Sequence, residues 1–345
     1  NPVGAEFNPM TMRMELTDVA AVIFNPVAQV KFVHTVAAGY VAASLFVMGV
    51  SSWYPLRRME VRFALRSFAI ASGFGLAAIL SVIVLGDESG YRSGEVQKVK
   101  LAAIEAEWHT EPAPASFTLF GLPDQGDETT HGAIKIPYLM GIIATRSLDE
   151  QVTGLKDLKA QHEVRIRSGM LAYDALEALR SDGSNAEARA TFERHRADLG
   201  YGLLLTPHAK EIGKADESAI AKAVDDSIPQ VAPLFWSFRL MVGIGVVLLG
   251  LFAAAFLQLC RGKLVQSPRL LKALFWSIPL PWIAIEAGWF VAEFGRQPWT
   301  ISDVLPVSAS VSLLQPGQLW FSLISIFLIY STLLVVVLFL LRHVI

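Results

Sequence analysis

Five apolar stretches limit what this chain can fold into more than any other feature. They run from about 26 to 53, 63 to 86, 233 to 260, 270 to 293 and 319 to 341. Each is about 22 to 28 residues, enough to cross about 30 Å of hydrocarbon as a helix. A segment in that solvent must satisfy its own backbone hydrogen bonds, which a helix does. The region between the second and third stretches is polar, so a mean hydropathy of +0.45 averages two unlike parts. The expected fold is an all-α integral membrane protein with five transmembrane helices and a large extracytoplasmic loop between spans two and three.

The expected order is an outer loop over 1–25, helices one and two over 26–86, and the large loop over 87–230. Helices three and four follow over 231–296, a short outer loop over 297–318, and helix five over 319–345. Asn25-Pro26 opens the first span, with Asn in the capping position and Pro at the first helical residue. Arg57, Arg58, Arg62 and Arg66, then Arg261, Lys263, Arg269 and Lys272, then Arg342 and His343 all fall on one side. The excess of positive charge makes that side cytoplasmic. Within the large loop, VQKVKLAAIEAEW reads as a helix through Glu107. A second helix is expected from 155 to 179, with Leu158, Ile166, Met170, Tyr173 and Leu176 on one face. A third starts at the capping box Ser184-x-x-Glu187 and ends at Gly200.

Composition excludes some functions. A net charge of -2 gives no reason to expect a nucleic-acid partner, and the lone Cys260 excludes an internal disulfide framework or a multi-cysteine metal site. His109, His131, His162, His195 and His208 lie in the loop without metal-ligand spacing and read as surface residues.

Ionisable residues inside the spans are the functional signal, because each is costly in a bilayer unless paired. Glu286 and Glu293 are seven residues apart, about two helical turns, so they share a face with Trp289 between them. Arg296 stands three residues beyond Glu293, where a plain ion pair is the simplest reading. His34 and Met241 each lie about eight residues inside spans that enter from the outer side, about 12 Å deep. Histidine nitrogen with methionine thioether is a low-spin haem ligand pair. Lys31 and Arg239, nearer the outer surface, are placed to meet haem propionates. Taken alone, an intramembrane methionine is ordinary core packing.

The run GWFVAEFGRQPW, from Gly288 to Trp299, resembles the signature of subunit I of the cytochrome bd-type quinol oxidases. NPVAQVKFVHTVAAGY from Asn25, FRLMV from Phe238 and GDESGYRSGEVQKVKLAAIEAEW from Gly86 are similar to three further stretches of that family. The resemblance covers essentially the whole chain and implies cofactors and roles. His34 and Met241 would be the axial ligands of the low-spin haem b, and Glu293 that of the high-spin haem b. Trp289 would pack between haems, and Arg296 would serve a propionate. Lys100 and Glu105 would act on the substrate, ubiquinol or menaquinol, in a long quinol loop. An ammonium to orient a quinol oxygen and a carboxylate to take its proton suit that chemistry.

The resemblance also implies a respiratory terminal oxidase of the bacterial inner membrane, with the quinol loop periplasmic, passing electrons through haems b to haem d. It would reduce oxygen to water and build a proton gradient without pumping. Subunit II and a small single-helix subunit are the implied partners. The family's subunit begins with about four further helices carrying the haem d ligand. This chain starts at Asn1 with no initiator methionine or signal sequence and is expected to be truncated at its N-terminus, inactive alone in oxygen reduction. Two other classes stand beside this one: a secondary transporter or channel using intramembrane His, Glu and Lys, and a membrane-anchored sensor. Glu286 is left open, as a proton relay or a neutral hydrogen-bonded group.

Overall fold

The computed structural model describes residues 3–8, 13–147, 149–312 and 314–344. They form two units, one up to residue 308 and one from 309 onward.

The first residues are more ordered than the expected loop. Strands β1 (Ala5–Asn8) and β2 (Arg13–Leu16) pair antiparallel, and a short helix α1 (Val19–Ile23) follows. Asp18 caps α1 by accepting from the Ala21 N–H at 3.0 Å. The first span is α2 (Pro26–Arg57), and Asn25 caps it as expected, its side chain accepting from Val27 at 3.0 Å. Arg58 adopts the left-handed conformation, φ 59°, and turns the chain into α3 (Val61–Val96).

α3 runs ten residues past the expected end of the second span, and at 36 residues it is about 54 Å long. That exceeds the hydrocarbon thickness, so its upper turns stand outside. They are held by ion pairs rather than lipid: Arg92 bonds Glu88 and Glu95, and Arg146 reaches back to Asp87 and Glu88. These are exposed pairs of small energetic value. They fix direction more than stability.

Helix α4 (Lys98–Glu105) follows after a one-residue break, two residues shorter than expected. The loop then contains a hairpin that periodicity did not reveal, β3 (Phe117–Asp124) with β4 (Thr129–Ile136). The long amphipathic helix is present as α5 (Leu155–Ser181), with Leu155, Leu158, Ile166 and Leu176 buried. The next helix, α6 (Ala186–His195), is capped by Asn185 rather than Ser184. Asn185 accepts from Ala188 N–H at 3.0 Å, while Ser184 donates to Asp182. A short 3-10 turn leads to α7 (Leu199–Gly202), and α8 (Glu217–Asp226) completes the loop.

The third span is α9 (Val231–Cys260). The fourth is broken into α10 (Pro268–Trp276) and α11 (Leu280–Phe294) at SIPLPW, where Pro279 and Pro281 remove backbone donors. Strands β5 (Trp299–Ile301) and β6 (Leu305–Pro306) follow. The spans of this unit share a core of Leu45, Met48, Phe68, Leu248, Phe252 and Leu274. The second unit holds the fifth span, α12 (Pro316–Val344), whose large apolar side chains are exposed along its length. All five spans are helices long and apolar enough to cross a membrane.

Candidate functional site

α4 connects the loop to the spans, and its two ends meet different neighbours. At its start Lys100 is buried and donates to the Ala292 carbonyl of α11 at 3.0 Å. A Cβ on Gly295 would stand 3.0 Å from the Lys100 Cγ, so the glycine of the GRQPW turn makes room for this side chain. Burial pushes the Lys100 ammonium down to about 7, helped by the positive charges of Lys31 and Arg296 and opposed by Glu293. A cavity of about 290 Å³ opens beside it, lined by Lys100, Arg165, Tyr201, Arg296 and Asp303.

At the other end Glu105 is buried and accepts from Arg239 Nη2 of α9 at 3.0 Å. Burial raises its carboxyl to about 8 against the pull of Arg239. Arg239 is fully occupied by protein. It donates to the Ile104 carbonyl at 2.7 Å, the Phe235 carbonyl at 3.2 Å and the Thr118 carbonyl of the hairpin. Its guanidinium carbon lies 3.3 Å from the Phe235 ring centroid. The sequence suggested a propionate partner; the structure places this side chain on Glu105. Lys100 and Glu105, expected to act together, bond to different helices, α11 and α9.

His34 and Met241 sit nine and eleven residues into α2 and α9, about 12 and 15 Å along helices that start on the same side. Both are half-buried, and His34 Nδ1 is shielded from solvent without a well-formed hydrogen bond, the ring's one backbone neighbour of that kind being the Val82 carbonyl of α3. A buried ring nitrogen left unpaired is costly and asks for a ligand. Glycine faces each of them from the neighbouring helix. A Cβ on Gly86 of α3 would approach His34 Cε1 to 3.4 Å, and one on Gly288 of α11 would approach Met241 Sδ to 2.8 Å. An orphaned imidazole nitrogen and a thioether, each with a glycine of the next helix packed against it, are donor types that a haem iron takes. Neither glycine was singled out by sequence reading, although a glycine in an apolar helix is the usual sign of close approach.

Glu293 is half-exposed and paired with Arg296, the simple i to i+3 ion pair. Arg296 Nε is buried without a partner. Lys31 is half-buried within electrostatic reach of both. Trp289 and Glu286 are exposed on α11.

One loop histidine departs from the surface reading. His162 is buried, its Nδ1 lies 2.8 Å from Ser227 Oγ, and its ring stacks edge-on with Tyr201. Burial holds it neutral, its value lowered to about 4. Glu107 is also buried, which its place in the polar run EAEW did not suggest.

Comparison with known proteins gives a consistent answer. The family model for cytochrome bd terminal oxidase subunit I matches residues 1–345. The chain is 48% identical over 341 residues to cytochrome bd-II ubiquinol oxidase subunit 1 of Escherichia coli K12, covering 99% of this chain and 66% of that protein. It is 31% identical over 334 residues to cytochrome bd ubiquinol oxidase subunit 1 of Bacillus subtilis, covering 96% of this chain and 59% of that one. The solved structure of bd oxidase from Geobacillus thermodenitrificans shares the fold, with TM-score 0.68 at 23% identity, over 97% of this chain and 62% of that one. The chain thus spans about three fifths to two thirds of the proteins it matches. The transporter, channel and sensor readings find no support in these matches. With five membrane-length helices and a match over its whole length, the chain is a multi-pass membrane protein belonging to the cytochrome bd terminal oxidase subunit I family.

Proposed function

We propose that this chain is the haem-binding part of a quinol:oxygen oxidoreductase, a respiratory terminal oxidase that oxidises ubiquinol or menaquinol. The observation that carries the reading is the unpaired His34 Nδ1, with Gly86 facing His34 and Gly288 facing Met241. Two of the relatives are named ubiquinol oxidases. His34 and Met241 would hold a low-spin haem b and Glu293 a high-spin haem b, with Lys31 and Arg296, now paired with Glu293, serving the propionates. Trp289, exposed on the same helix, would pack between haems. Bound haem supplies one-electron transfer from quinol toward oxygen.

The chain's own residues do the rest. Lys100, buried and about half protonated at pH 7, orients a quinol oxygen; Glu105, whose carboxyl holds its proton unusually tightly, takes the proton the quinol releases. Arg239 locks the Glu105 carboxylate in place. The positive clusters put the loop over 87–230 on the periplasmic side of the bacterial inner membrane. The exposed apolar faces, α12 included, suit lipid and the partner subunits, subunit II and a small single-helix subunit.

The test is a reduced minus oxidised difference spectrum of the assembled oxidase carrying this chain. A sharp low-spin haem b band that disappears in Met241→Leu, which keeps volume and removes the thioether, is the expected result. A protein that stays colourless with haem supplied in excess overturns the proposal.

A further inference from the structure

Three carboxylates follow one another at the end of α4, and only the first has a place in the reading above. Glu105 is the last residue of the helix. Ala106 then adopts the left-handed conformation, φ 53°, and the Glu107 N–H returns to the Ala102 carbonyl at 2.9 Å. This reversal folds Glu107 back beside the helix end it has just left. Glu111 comes four residues later, its Oε2 accepting from the Ser116 N–H at 3.0 Å and from the Ser116 hydroxyl at 2.7 Å.

The β3–β4 hairpin covers all three. Thr118 and Lys135 are directly opposed in its ladder. The Thr118 carbonyl bonds Arg239, the partner of Glu105, while the Lys135 ammonium is bound to Glu111 and lies 4.0 Å from Glu107 Oε2. Side-chain exposure rises along the row, 5% at Glu105, 8% at Glu107, 24% at Glu111 and 38% at Lys135.

Glu107 is the anomaly. Glu105 has Arg239 and Glu111 has Ser116 and Lys135, but the Glu107 carboxylate accepts no hydrogen bond from the described residues, and the whole residue is 6% exposed. A buried carboxylate is normally paired or neutral. One whose only partner is the Lys135 ammonium at 4.0 Å, between a fully buried carboxyl and a surface pair, makes poor structural sense and good sense as a stepping stone.

We infer that Glu107 relays protons from Glu105 to the surface at Glu111 and Lys135, giving quinol oxidation a built exit through the hairpin. This rests on Glu105 being the acceptor of the quinol proton. Oxidising one quinol releases two protons and two electrons. The electrons leave to the proposed haem acceptor. Each quinol O–H bond breaks as an O–H bond forms on the Glu105 carboxylate; that proton passes to the Glu107 carboxylate, restoring Glu105, and from Glu107 to water at the Glu111 edge. No group is consumed. Burial raises Glu107 to about 7, with Lys135 opposing and Glu111 assisting, against about 8 for Glu105. The two sites hold a proton with similar strength, so the outward step is unfavourable by only about tenfold and the proton is not trapped on Glu105.

The experiment compares Glu107→Gln with Glu105→Gln in the complete oxidase in membranes, measuring quinol turnover, KM and the haem spectrum. Glu107→Gln is expected to lower kcat about tenfold with KM and spectrum unchanged. Millimolar formate or azide, small weak acids that carry protons past a gap, is expected to restore turnover. Turnover at the parent rate overturns the relay, and so does a loss that weak acid does not rescue. If Glu105→Gln turns over normally, the acceptor assignment itself falls; if Glu105→Gln is slow and Glu107→Gln normal, the relay alone falls. Lys135→Met, at a half-exposed site, decides the matter should Glu107→Gln fail to assemble. The charged groups around Glu107 are Glu105, Lys135 and Glu111. Removing the cation makes Glu107 hold its proton more tightly, so turnover falls at pH 7 and recovers as pH rises. An unchanged pH profile counts against the relay.

Discussion

Lys100 and Glu105 stand at opposite ends of one short helix, and burial moves them in opposite directions. The ammonium falls to about 7 and the carboxyl rises to about 8, so at neutral pH the usual order of acid and base is inverted. They are not partners. Lys100 answers to α11 and the cations Lys31 and Arg296, whereas Glu105 answers to Arg239 on α9. Two residues that look like one catalytic pair in sequence are therefore held by two different helices and share a cause, removal from water. A change at one end should leave the other intact.

The strongest way to break the comparison is at Arg239. Arg239→Leu removes the cation from a fully buried carboxyl and leaves the Thr118 and Ile104 carbonyls without their donor. Losing one partner of a buried pair costs about 3 to 5 kcal/mol. Denaturant or thermal unfolding of the detergent-solubilised protein measures this. Lys31→Met, at the other end, is expected to cost much less, because Lys100 keeps its bond to the Ala292 carbonyl. Equal losses from the two variants would mean the ends are coupled after all.

The pH profile of quinol turnover gives a second, smaller effect. Activity that needs Glu105 ionised rises toward about pH 8, and activity that needs Lys100 protonated falls above about pH 7, about tenfold per unit. The inverted order puts a narrow maximum between the two values. Lys100→Arg keeps its charge at every accessible pH, so its alkaline limb should vanish while the acid limb stays where it was. A profile that shifts on both sides would return Lys100 and Glu105 to a single coupled site.

Much of this was legible in the chain. The five spans follow from length and hydropathy, and the Asn25-Pro26 cap from local chemistry that no tertiary contact overrides. The SIPLPW break follows from missing backbone donors. What was not legible depends on contacts far apart in sequence. The partner of Arg239 is 134 residues away, and that of Lys100 is 192 residues away. Nothing local distinguishes these side chains from propionate or quinol ligands. The β3–β4 hairpin was missed because its strands are irregular, with register shifts at Phe120, and largely exposed. His162 read as a surface residue and Glu107 only as a helix end because polarity was the only local information, and burial comes from the hairpin and α7 closing over them.

Stability as a function of pH separates the two ends without requiring turnover. Glu105 titrates near 4.5 when unfolded and about 8 when folded. Between those values the folded state keeps a proton the unfolded chain has lost, so stability falls as pH rises and levels off above about 8. Lys100 titrates near 10.5 unfolded and about 7 folded. Between those values the unfolded chain keeps the proton, so stability rises with pH. The two contributions meet in a minimum near pH 7 to 8. Glu107, raised to about 7, deepens the acid-side slope, while His162, lowered to about 4, opposes it below its ordinary 6.5. Differences between variants and parent cancel the groups they share. Melting temperatures across pH 5 to 10 should show Glu105→Gln flattening only the falling arm and Lys100→Met only the rising one. A Glu105→Gln variant that also removed the rising arm would show that the ends of α4 titrate as one system, and the separation argued from their neighbours would be wrong.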